Sequence, residues 1–278
     1  MNLIIEMGGT KINFFVIGES AHAIKFSVPT ADPEDFKDYL VTKFKGQTIK
    51  KLILACFGPI SLDAHNYGEI LNTPKQNWRH VNIYDWLKQR VCRDTVLVTD
   101  VSLPAIGAIK KYQLQGSFFS YITVGTGIGG CNIYKGTILQ NELHPEIGHM
   151  YLGDLEESYC GYHSHCFESQ ASGHYFSSKH GLQISEVDFN HPGRLELIDK
   201  LATLIYNLYA ALGVDYVILG GGATRNDMKD QLINRLQRIN NSYLPGLNAK
   251  DINRRLILNE NSSELSMLGG MRLLDGLI

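Results

Sequence analysis

The sequence predicts an α/β protein with mixed sheets, and two observations support this prediction. Apolar, β-rich runs flank glycine turns at residues 3–17 and again at residues 118–134, which is typical of hairpins. Elsewhere, apolar runs alternate with helical patterns, which indicates strands joined by helical crossovers. Because hairpins pair antiparallel strands and crossovers pair parallel strands, we expect both kinds of pairing in one sheet.

The first half of the chain is predicted to begin with strands at residues 3–5, 12–17 and 23–28, with a turn at Gly8-Gly9 after the first. A helix should follow Asp32-Pro33, because proline and acidic residues favour the first helical turn. Residues 52–57 and 96–98 are predicted as buried strands that end at Gly58-Pro59 and at Asp100. Ser102 would then cap a helix that runs towards residue 112.

The second half of the chain repeats the hairpin pattern, with strands at residues 118–124 and 132–134 around a glycine turn. Apolar residues recur at helical spacing from 197 to 212, and Gly213 should end that helix. The remaining predictions are a strand at 214–219, a helix to about 239, a strand at 256–258 and a last helix at 265–274, capped by residues 262–264. The two glycine hairpins suggest an internal duplication. Because sequence identity between the two halves is negligible, that suggestion rests on topology.

Composition excludes several classes of function. The 278 residues are 44% hydrophobic and carry a net charge of −2, which offers no electrostatic basis for binding nucleic acid. No apolar run approaches the roughly 20 residues that span a bilayer, and we expect neither a signal peptide nor a membrane partner. The five cysteines are few and odd in number, which argues against a disulfide framework. We therefore expect a cytoplasmic protein.

A compact group of potential metal ligands lies in the second half. Cys160, His163 and Cys166 are spaced by three residues, and His149 lies eleven residues upstream of the first. Two thiolates and two imidazoles suit tetrahedral Zn²⁺, and four protein ligands predict a structural site. Such a site would fix the segment that carries Glu146 and Glu168, two carboxylates suited to a polar substrate. The alternative is that these are unrelated polar loop residues.

Three glycine turns predict a nucleotide-phosphate site. They are Gly8-Gly9-Thr10-Lys11, the segment GTGIGG at 125–130, and the triplet at 220–222. Glycine permits positive φ and close approach of phosphate, and successive backbone N–H groups bind anions. The second turn spells G-x-G-x-x-G, but a strand rather than a helix follows it, which excludes a dinucleotide-binding motif. Any one such turn alone could be a plain hairpin.

Two carboxylates complete the predicted chemistry. Asp100, between a strand and a helix, can accept the proton of a sugar hydroxyl that attacks a γ-phosphate. Its alternative role is a helix cap. Glu6, which ends the first strand beside the first glycine turn, could orient Mg²⁺ through water, or it could be an exposed charge at the end of the strand.

These residues occur in an order that resembles the ROK sugar kinases of the actin–hexokinase–Hsp70 superfamily, most closely their bacterial fructokinase branch. The resemblance covers nearly the whole chain. It rests on seven segments of the sequence. Four lie in the first half: Glu6-x-Gly8-Gly9-Thr10-Lys11, residues 56–60 with Tyr67-Gly68, Asn72-Thr73-Pro74-Lys75 with Trp78, and Thr99-Asp100-Val101. The other three are GTGIGG at 125–130, His144-Pro145-Glu146-x-Gly148-His149 with Cys160, His163 and Cys166, and residues 217–222.

The resemblance implies a role for each matching residue. Asp100 is the catalytic base. The sugar is bound by Glu146, His149, Glu168, Gly58, Asn72, Thr73 and Lys75. ATP and its Mg²⁺ are bound by Glu6, Gly8, Gly9, Thr10, Lys11, Gly125, Thr126, Gly127, Gly221 and Gly222. Structural Zn²⁺ is bound by His149, Cys160, His163 and Cys166.

The implied architecture is a two-lobed actin/hexokinase-like (RNase H-like) α/β fold with mixed sheets and a central cleft. The first lobe would cover residues 1–115, to which a last helix at 263–278 returns, and the second would cover 116–262. Closure of the lobes would exclude water and limit hydrolysis of ATP. The resemblance also suggests a homodimer.

The expected function is therefore ATP-dependent phosphorylation of a hexose, with fructose 6-phosphate as the expected product. Departures from the branch pattern at Asn72, Asn77, Ser102, Cys131 and residues 140–143 weaken the choice of fructose rather than the kinase activity. Mannose, glucose or an N-acetylhexosamine are the alternative substrates. A sugar-responsive repressor is disfavoured, because the first phosphate loop begins at Glu6 and leaves no room before it for a helix-turn-helix. A non-catalytic sugar-binding protein is disfavoured by the intact Asp100 and Thr10.

Overall fold

The computed structural model describes residues 1–18, 23–142, 144–153, 159–163 and 165–277. The strands are β1 (Asn2–Met7), β2 (Lys11–Ile17), β3 (Ala23–Pro29), β4 (Leu52–Cys56), β5 (Thr95–Thr99), β6 (Phe118–Val124), β7 (Ile128–Tyr134), β8 (Thr137–Ile138), β9 (Tyr216–Gly220) and β10 (Leu256–Leu258). The α-helices are α1 (Pro33–Lys43), α2 (Ile83–Arg90), α3 (Ser102–Lys111), α4 (Glu168–Ala171), α5 (Gly173–His180), α6 (Pro192–Leu212), α7 (Lys229–Asn240), α8 (Ala249–Arg255) and α9 (Ser262–Leu274).

The first sheet has the strand order β3-β2-β1-β4-β5. The β1–β2 and β2–β3 pairs are antiparallel, and the β1–β4 and β4–β5 pairs are parallel. All five residues of β4 are buried, as expected for a central strand in the parallel part of a sheet. In this order the carboxyl ends of β1, β4 and β5 point the same way, so Met7, Cys56 and Thr99 end the three strands at one edge.

The second sheet repeats this arrangement with the order β10-β9-β6-β7-β8. The β6–β7 and β7–β8 pairs are antiparallel, whereas β6–β9 and β9–β10 are parallel. Two sheets of the same mixed topology confirm the predicted α/β class. They also account for the two glycine hairpins, since each hairpin joins the first two strands of its sheet.

The chain divides into two compact units. The first consists of Met1–Gln113, Leu139–Pro145 and Ser263–Ile278, and the second of Leu114–Ile138 and Glu146–Ser262. Residues 139–145, which the sequence places in the second lobe, group with the first unit. Over the described residues, the helices are all too short or too polar to cross a membrane.

Each unit has its own hydrophobic core. In the first, Trp78 is 2% exposed, packs against Phe36 and Phe57, and donates from Nε1 to Ala31 O at 3.0 Å. In the second, α6 packs its apolar face against the sheet and α7. Helix α6 begins after His191, whose Nδ1 accepts a hydrogen bond from Gly193 N, and ends at Gly213 with a φ of 65°.

Several local predictions were wrong. The second strand of the second hairpin begins at Ile128 rather than near residue 132, because Gly129 and Gly130 pair with Thr123 and Ile122 in the ladder. Ser102 does not cap α3, since the accepting hydroxyl is that of Thr99. Helices α2, α5 and α8 were not predicted, because seven- and eight-residue helices contain too few turns for a clear periodicity.

Candidate active site

Asp100 lies in the turn between β5 and α3, at the carboxyl edge of the first sheet. Its backbone N–H donates to Cys56 O at 3.1 Å, which ties the turn to the end of β4. The side chain is half-buried. Burial raises the pKa of the Cys56 thiol well above its ordinary value, and the negative charge of Asp100 raises it further. Asp100 therefore lies beside a neutral thiol, on a backbone fixed by two strands.

The hydroxyl of Thr99 is the centre of a buried polar network beside Asp100. Thr99 Oγ1 lies 2.7 Å from Ser102 Oγ, accepts from Ser102 N at 3.1 Å and lies 3.0 Å from His144 Nε2. Thr99 and Ser102 are 3% and 1% exposed, so water does not compete for these contacts. The sequence did not predict this network, because His144 is 45 residues from Thr99.

The first glycine turn presents its backbone outward. Gly8 N donates to Lys11 O at 3.0 Å, and Thr30 Oγ1 donates to Gly8 O at 2.8 Å. Gly9, Thr10 and Lys11 are exposed, and a Cβ added at Gly9 would meet no atom within 4 Å. An open backbone next to a hydroxyl and an ammonium fits a phosphate group.

Glu6 is held by two donors in the first unit. Asn13 Nδ2 donates to one carboxylate oxygen at 2.7 Å, and Ser266 Oγ of α9 donates to the other. Burial raises the pKa of Glu6, and these two hydrogen bonds and the charge of Lys11 oppose that rise. Glu6 is therefore a half-buried side chain with two hydrogen-bond donors, which disfavours the alternative of an exposed charge at the end of the strand.

The loop that contains Asn72, Thr73 and Lys75 lies beside Gly58-Pro59. Leu71 N donates to Pro59 O at 2.8 Å, and the Gly58–Pro59 peptide bond is cis. Thr73 is only 2% exposed and its carbonyl accepts from Arg79 Nε at 2.8 Å, whereas Asn72 is exposed. Thr73 thus stabilises this loop, and Asn72 and Lys75 are its accessible side chains.

The second glycine turn is enclosed by the start of α5. Gly125 N donates to Gly127 O at 2.9 Å, Gly173 N donates to Gly125 O at 2.7 Å, and His174 N donates to Thr126 O at 3.1 Å. At Gly127 a Cβ would lie 2.4 Å from Glu168 Oε2, so only glycine allows the carboxylate to approach. Thr126 is exposed at the tip of the turn.

Glu146, His149 and Glu168 are all in the second unit. Glu146 is exposed, and its carbonyl accepts from His149 N at 2.9 Å. Glu168 Oε2 accepts from Ile128 N at 2.8 Å, and Glu168 Oε1 lies 3.7 Å from His149 Nε2. The imidazole therefore directs Nε2 towards a carboxylate and leaves Nδ1 for another partner.

The four predicted metal ligands come together. One donor atom from each of His149, Cys160, His163 and Cys166 lies within 4.8 Å of the others. His149 Nδ1 is 3.2 Å from His163 Nδ1 and 3.7 Å from Cys160 Sγ. Tetrahedral zinc with bonds of about 2.0 Å to nitrogen and 2.3 Å to sulfur separates its ligands by roughly 3.3–3.8 Å. The donor set and its spacing therefore fit Zn²⁺.

A second observation supports metal binding by this cluster. Burial raises the pKa of the Cys166 thiol, and the hydrogen bond from Ser169 N to Cys166 Sγ at 3.4 Å opposes that rise. Glu168 beside His149 Nε2 has the position of the carboxylates that orient metal-bound imidazoles. A metal held by all four side chains would have no open coordination position.

The third glycine turn follows β9. Gly221 has a φ of 93°, and a Cβ there would lie 2.4 Å from Val124 O. Its N–H donates to Ser262 Oγ at 2.9 Å, a partner that the sequence did not predict. Gly222 is exposed and open on its Cα side. Among the glycines of the three turns, all of which the structure describes, Gly221 is the one with a positive φ.

Comparisons with known proteins identify the family of this chain. The ROK family model matches residues 2–276. A fructokinase of Pediococcus pentosaceus is 31% identical over 78% of this chain and 78% of its own length. A fructokinase of Lactococcus lactis subsp. cremoris is 29% identical over 84% of this chain and 82% of its own length.

A solved structure gives the same fold. The ROK family glucokinase of Streptomyces griseus, in complex with glucose and AMPPNP, superposes with a TM-score of 0.74 at 20% identity, over 98% of each chain. This similarity confirms the predicted actin/hexokinase-like class, with its mixed sheets and helices.

Proposed function

The chain belongs to the ROK family, and we propose that it is a sugar kinase that transfers the γ-phosphoryl group of ATP to a hexose hydroxyl. One observation carries the proposal. Asp100 stands in a turn that Cys56 and Thr99 fix, at the sheet edge where β1 leads into the exposed backbone of the first glycine turn. A carboxylate and a phosphate-binding turn in that arrangement suit phosphoryl transfer.

In this reaction the sugar hydroxyl oxygen forms a bond to the γ-phosphorus, the bond from that phosphorus to the leaving oxygen of ADP breaks, and the hydroxyl proton passes to Asp100. Removal of that proton by a positioned carboxylate accelerates such steps by about 10²–10⁴-fold. Mg²⁺ bound with the nucleotide neutralises the charge that develops on the phosphoryl oxygens.

For the nucleotide, we propose that the phosphates lie against Gly8, Gly9, Thr10 and Lys11 and against Gly125, Thr126 and Gly127. The open surface of Gly222, next to Gly221, would receive the adenosine. Glu6 has a fixed orientation through Asn13 and Ser266, which suits a carboxylate that orients the water shell of Mg²⁺.

For the sugar, we propose hydrogen bonds from its hydroxyls to Glu146 and Glu168, with His149 acting at this site through Glu168, towards which its Nε2 is directed. Gly58, Asn72 and Lys75 are proposed as further sugar-binding residues, with Thr73 supporting their loop. Fructose is the proposed acceptor, because the relatives named above are fructokinases. Glucose, mannose and N-acetylhexosamines stay as alternatives at this level of identity.

A substrate panel tests the function. With MgATP, kcat/KM should be measured for fructose, mannose, glucose, N-acetylmannosamine and N-acetylglucosamine by ADP release, with product identified by mass. We expect transfer to at least one hexose and the highest kcat/KM for fructose. Transfer to none of these sugars would contradict the kinase proposal, and a higher kcat/KM for another sugar would contradict only fructose.

Three further properties belong to the same proposal. The cluster of His149, Cys160, His163 and Cys166 would hold one structural Zn²⁺, on the geometric grounds given above. A cytoplasmic location is supported by five free cysteines, and a homodimer by the family resemblance.

A further inference from the structure

We propose that His144 is a positioning residue that fixes the catalytic turn through the hydroxyl of Thr99. This inference rests on the proposed function, since it assigns His144 a part in the action of Asp100. His144 would touch neither the transferred proton nor the phosphoryl group. It would act through Thr99, which is adjacent to Asp100 in the chain.

The first step of the argument is the completeness of the network. Thr99 Oγ1 accepts a hydrogen bond from Ser102 N. It also forms a hydrogen bond with Ser102 Oγ and another with His144 Nε2. A threonine hydroxyl offers one donor and two acceptor positions, so these three partners use all of them. Without His144, the buried hydroxyl of Thr99 would lose one of its three partners. The two remaining contacts, both with Ser102, would allow that hydroxyl more than one orientation.

The second step is where the partners come from. Ser102 belongs to α3 and Cys56 to β4, so both are part of the sheet and crossover that form the turn. His144 belongs instead to residues 139–145, a segment that joins the first unit from a distant part of the sequence. Its contact with Thr99 therefore adds a restraint on the turn that the sheet does not provide.

The third step links the restraint to chemistry. Asp100 lies between Thr99 and Ser102 in sequence, and its N–H is held by Cys56 O at 3.1 Å. A contact on the hydroxyl of Thr99 thus adds a side-chain restraint to the backbone hydrogen bond between Asp100 and Cys56. Displacement of a reacting group by about 1 Å can lower a rate by about 100-fold.

A double-mutant cycle tests the inference with His144→Ala, Thr99→Val and the double variant. His65→Ala is the matched control, because His65 is an exposed histidine of the same unit. We expect each single variant to lower kcat by about 10- to 100-fold while KM for MgATP changes by less than about twofold. The double variant should be no slower than the slower single variant, because Thr99→Val by itself already removes the contact with His144.

Two conservative variants separate positioning from general damage. His144→Gln keeps a polar atom near the position of Nε2, and Thr99→Ser keeps the hydroxyl, so both should retain kcat to within about threefold of the wild type. Losses in the double variant that multiply, or a His144→Ala variant as active as His65→Ala, would overturn the inference. A change confined to KM for the sugar would also overturn it, since that result means direct contact with the sugar.

A readout that does not depend on activity accompanies the kinetics. Amide hydrogen exchange of a peptide covering residues 97–104 should accelerate in His144→Ala but not in His65→Ala or His144→Gln. Unchanged exchange in His144→Ala would overturn the inference. If the wild type phosphorylates no sugar, the proposed function fails, and this exchange measurement still decides whether His144 restrains the turn.

Discussion

Glu168 accepts a hydrogen bond from the backbone N–H of Ile128 at 2.8 Å, and this contact joins α4 to the second glycine turn. The other oxygen of the same carboxylate lies 3.7 Å from His149 Nε2. His149 in turn directs Nδ1 towards Cys160 and His163. One side chain therefore links the proposed phosphate turn to the proposed zinc cluster within the second unit, so a change at either place should affect the other.

Gly127 is the position where this linkage is most easily broken. In Gly127→Ala the new Cβ would lie 2.4 Å from Glu168 Oε2, so the carboxylate must move and its bond to Ile128 N is lost. Overpacking of this kind costs about 1–3 kcal/mol. We expect a lower midpoint in denaturant unfolding and weaker sugar binding.

Gly125→Ala is the matched control in the same turn, because a Cβ there meets no atom within 4 Å and the φ is ordinary. Its stability should be unchanged or raised by up to about 1 kcal/mol. Equal destabilisation of both variants would show that the close approach of Glu168 does not matter.

Zinc binding is tested by replacing its thiolates. Cys160→Ser and Cys166→Ser should each release about one equivalent of zinc per chain, because a tetrahedral site with three good ligands binds the metal far more weakly. Elemental analysis of protein purified without chelator gives the metal content. Cys92→Ser, at a buried cysteine of the first unit, should retain the metal. Wild-type protein without zinc would refute the site.

The sequence predicted most of the elements that form both sheets, and it predicted the four residues of the candidate metal site. Both successes have a physical reason. Apolar runs on either side of glycine have few options besides a hairpin, as at Gly8-Gly9, and the ladder between β1 and β2 bears this out. The four candidate metal ligands lie within eighteen positions, 149–166, so their spacing, together with the neighbouring motifs, suggested a common site.

The contacts that the sequence did not predict are those between distant positions. His144 meets Thr99 across 45 residues, Ser262 meets Gly221 across 41, and Ser266 meets Glu6 across 260. A serine or histidine in such a contact has no local periodicity or spacing that distinguishes it from a surface residue. Gly9 and Gly125 do not adopt positive φ, because glycine permits that conformation without requiring it.

Glu6 gives a prediction about pH. Burial raises its pKa above the ordinary value of 4.5. The unfolded state has the ordinary pKa of 4.5 and the native state has the raised pKa. At a pH between these two values, the native state binds a proton that the unfolded state has released. The free energy of unfolding therefore falls as pH rises through this range. Below pH 4.5 both states are protonated and the effect vanishes.

Glu6→Gln should therefore melt at a higher temperature than the wild type at pH 7, and the difference should shrink as pH falls towards 4.5. Thermal unfolding followed by circular dichroism across pH 4–8 measures this. Glu34→Gln, at an exposed carboxylate of α1, should stay within about 0.5 kcal/mol of the wild type at every pH. A Glu6→Gln protein that is less stable than the wild type at pH 7 would mean that its hydrogen bonds outweigh the cost of burial.

Turnover of the Asp100→Asn variant is the most direct test of the account, since asparagine keeps the shape of the side chain and cannot take up the sugar proton. We predict that kcat with the preferred hexose falls by at least about 100-fold, with an unchanged melting temperature. Asp94→Asn, at an exposed aspartate just before β5, should keep wild-type turnover. An Asp100→Asn enzyme with near wild-type kcat would contradict the assignment of the base and the mechanism built on it.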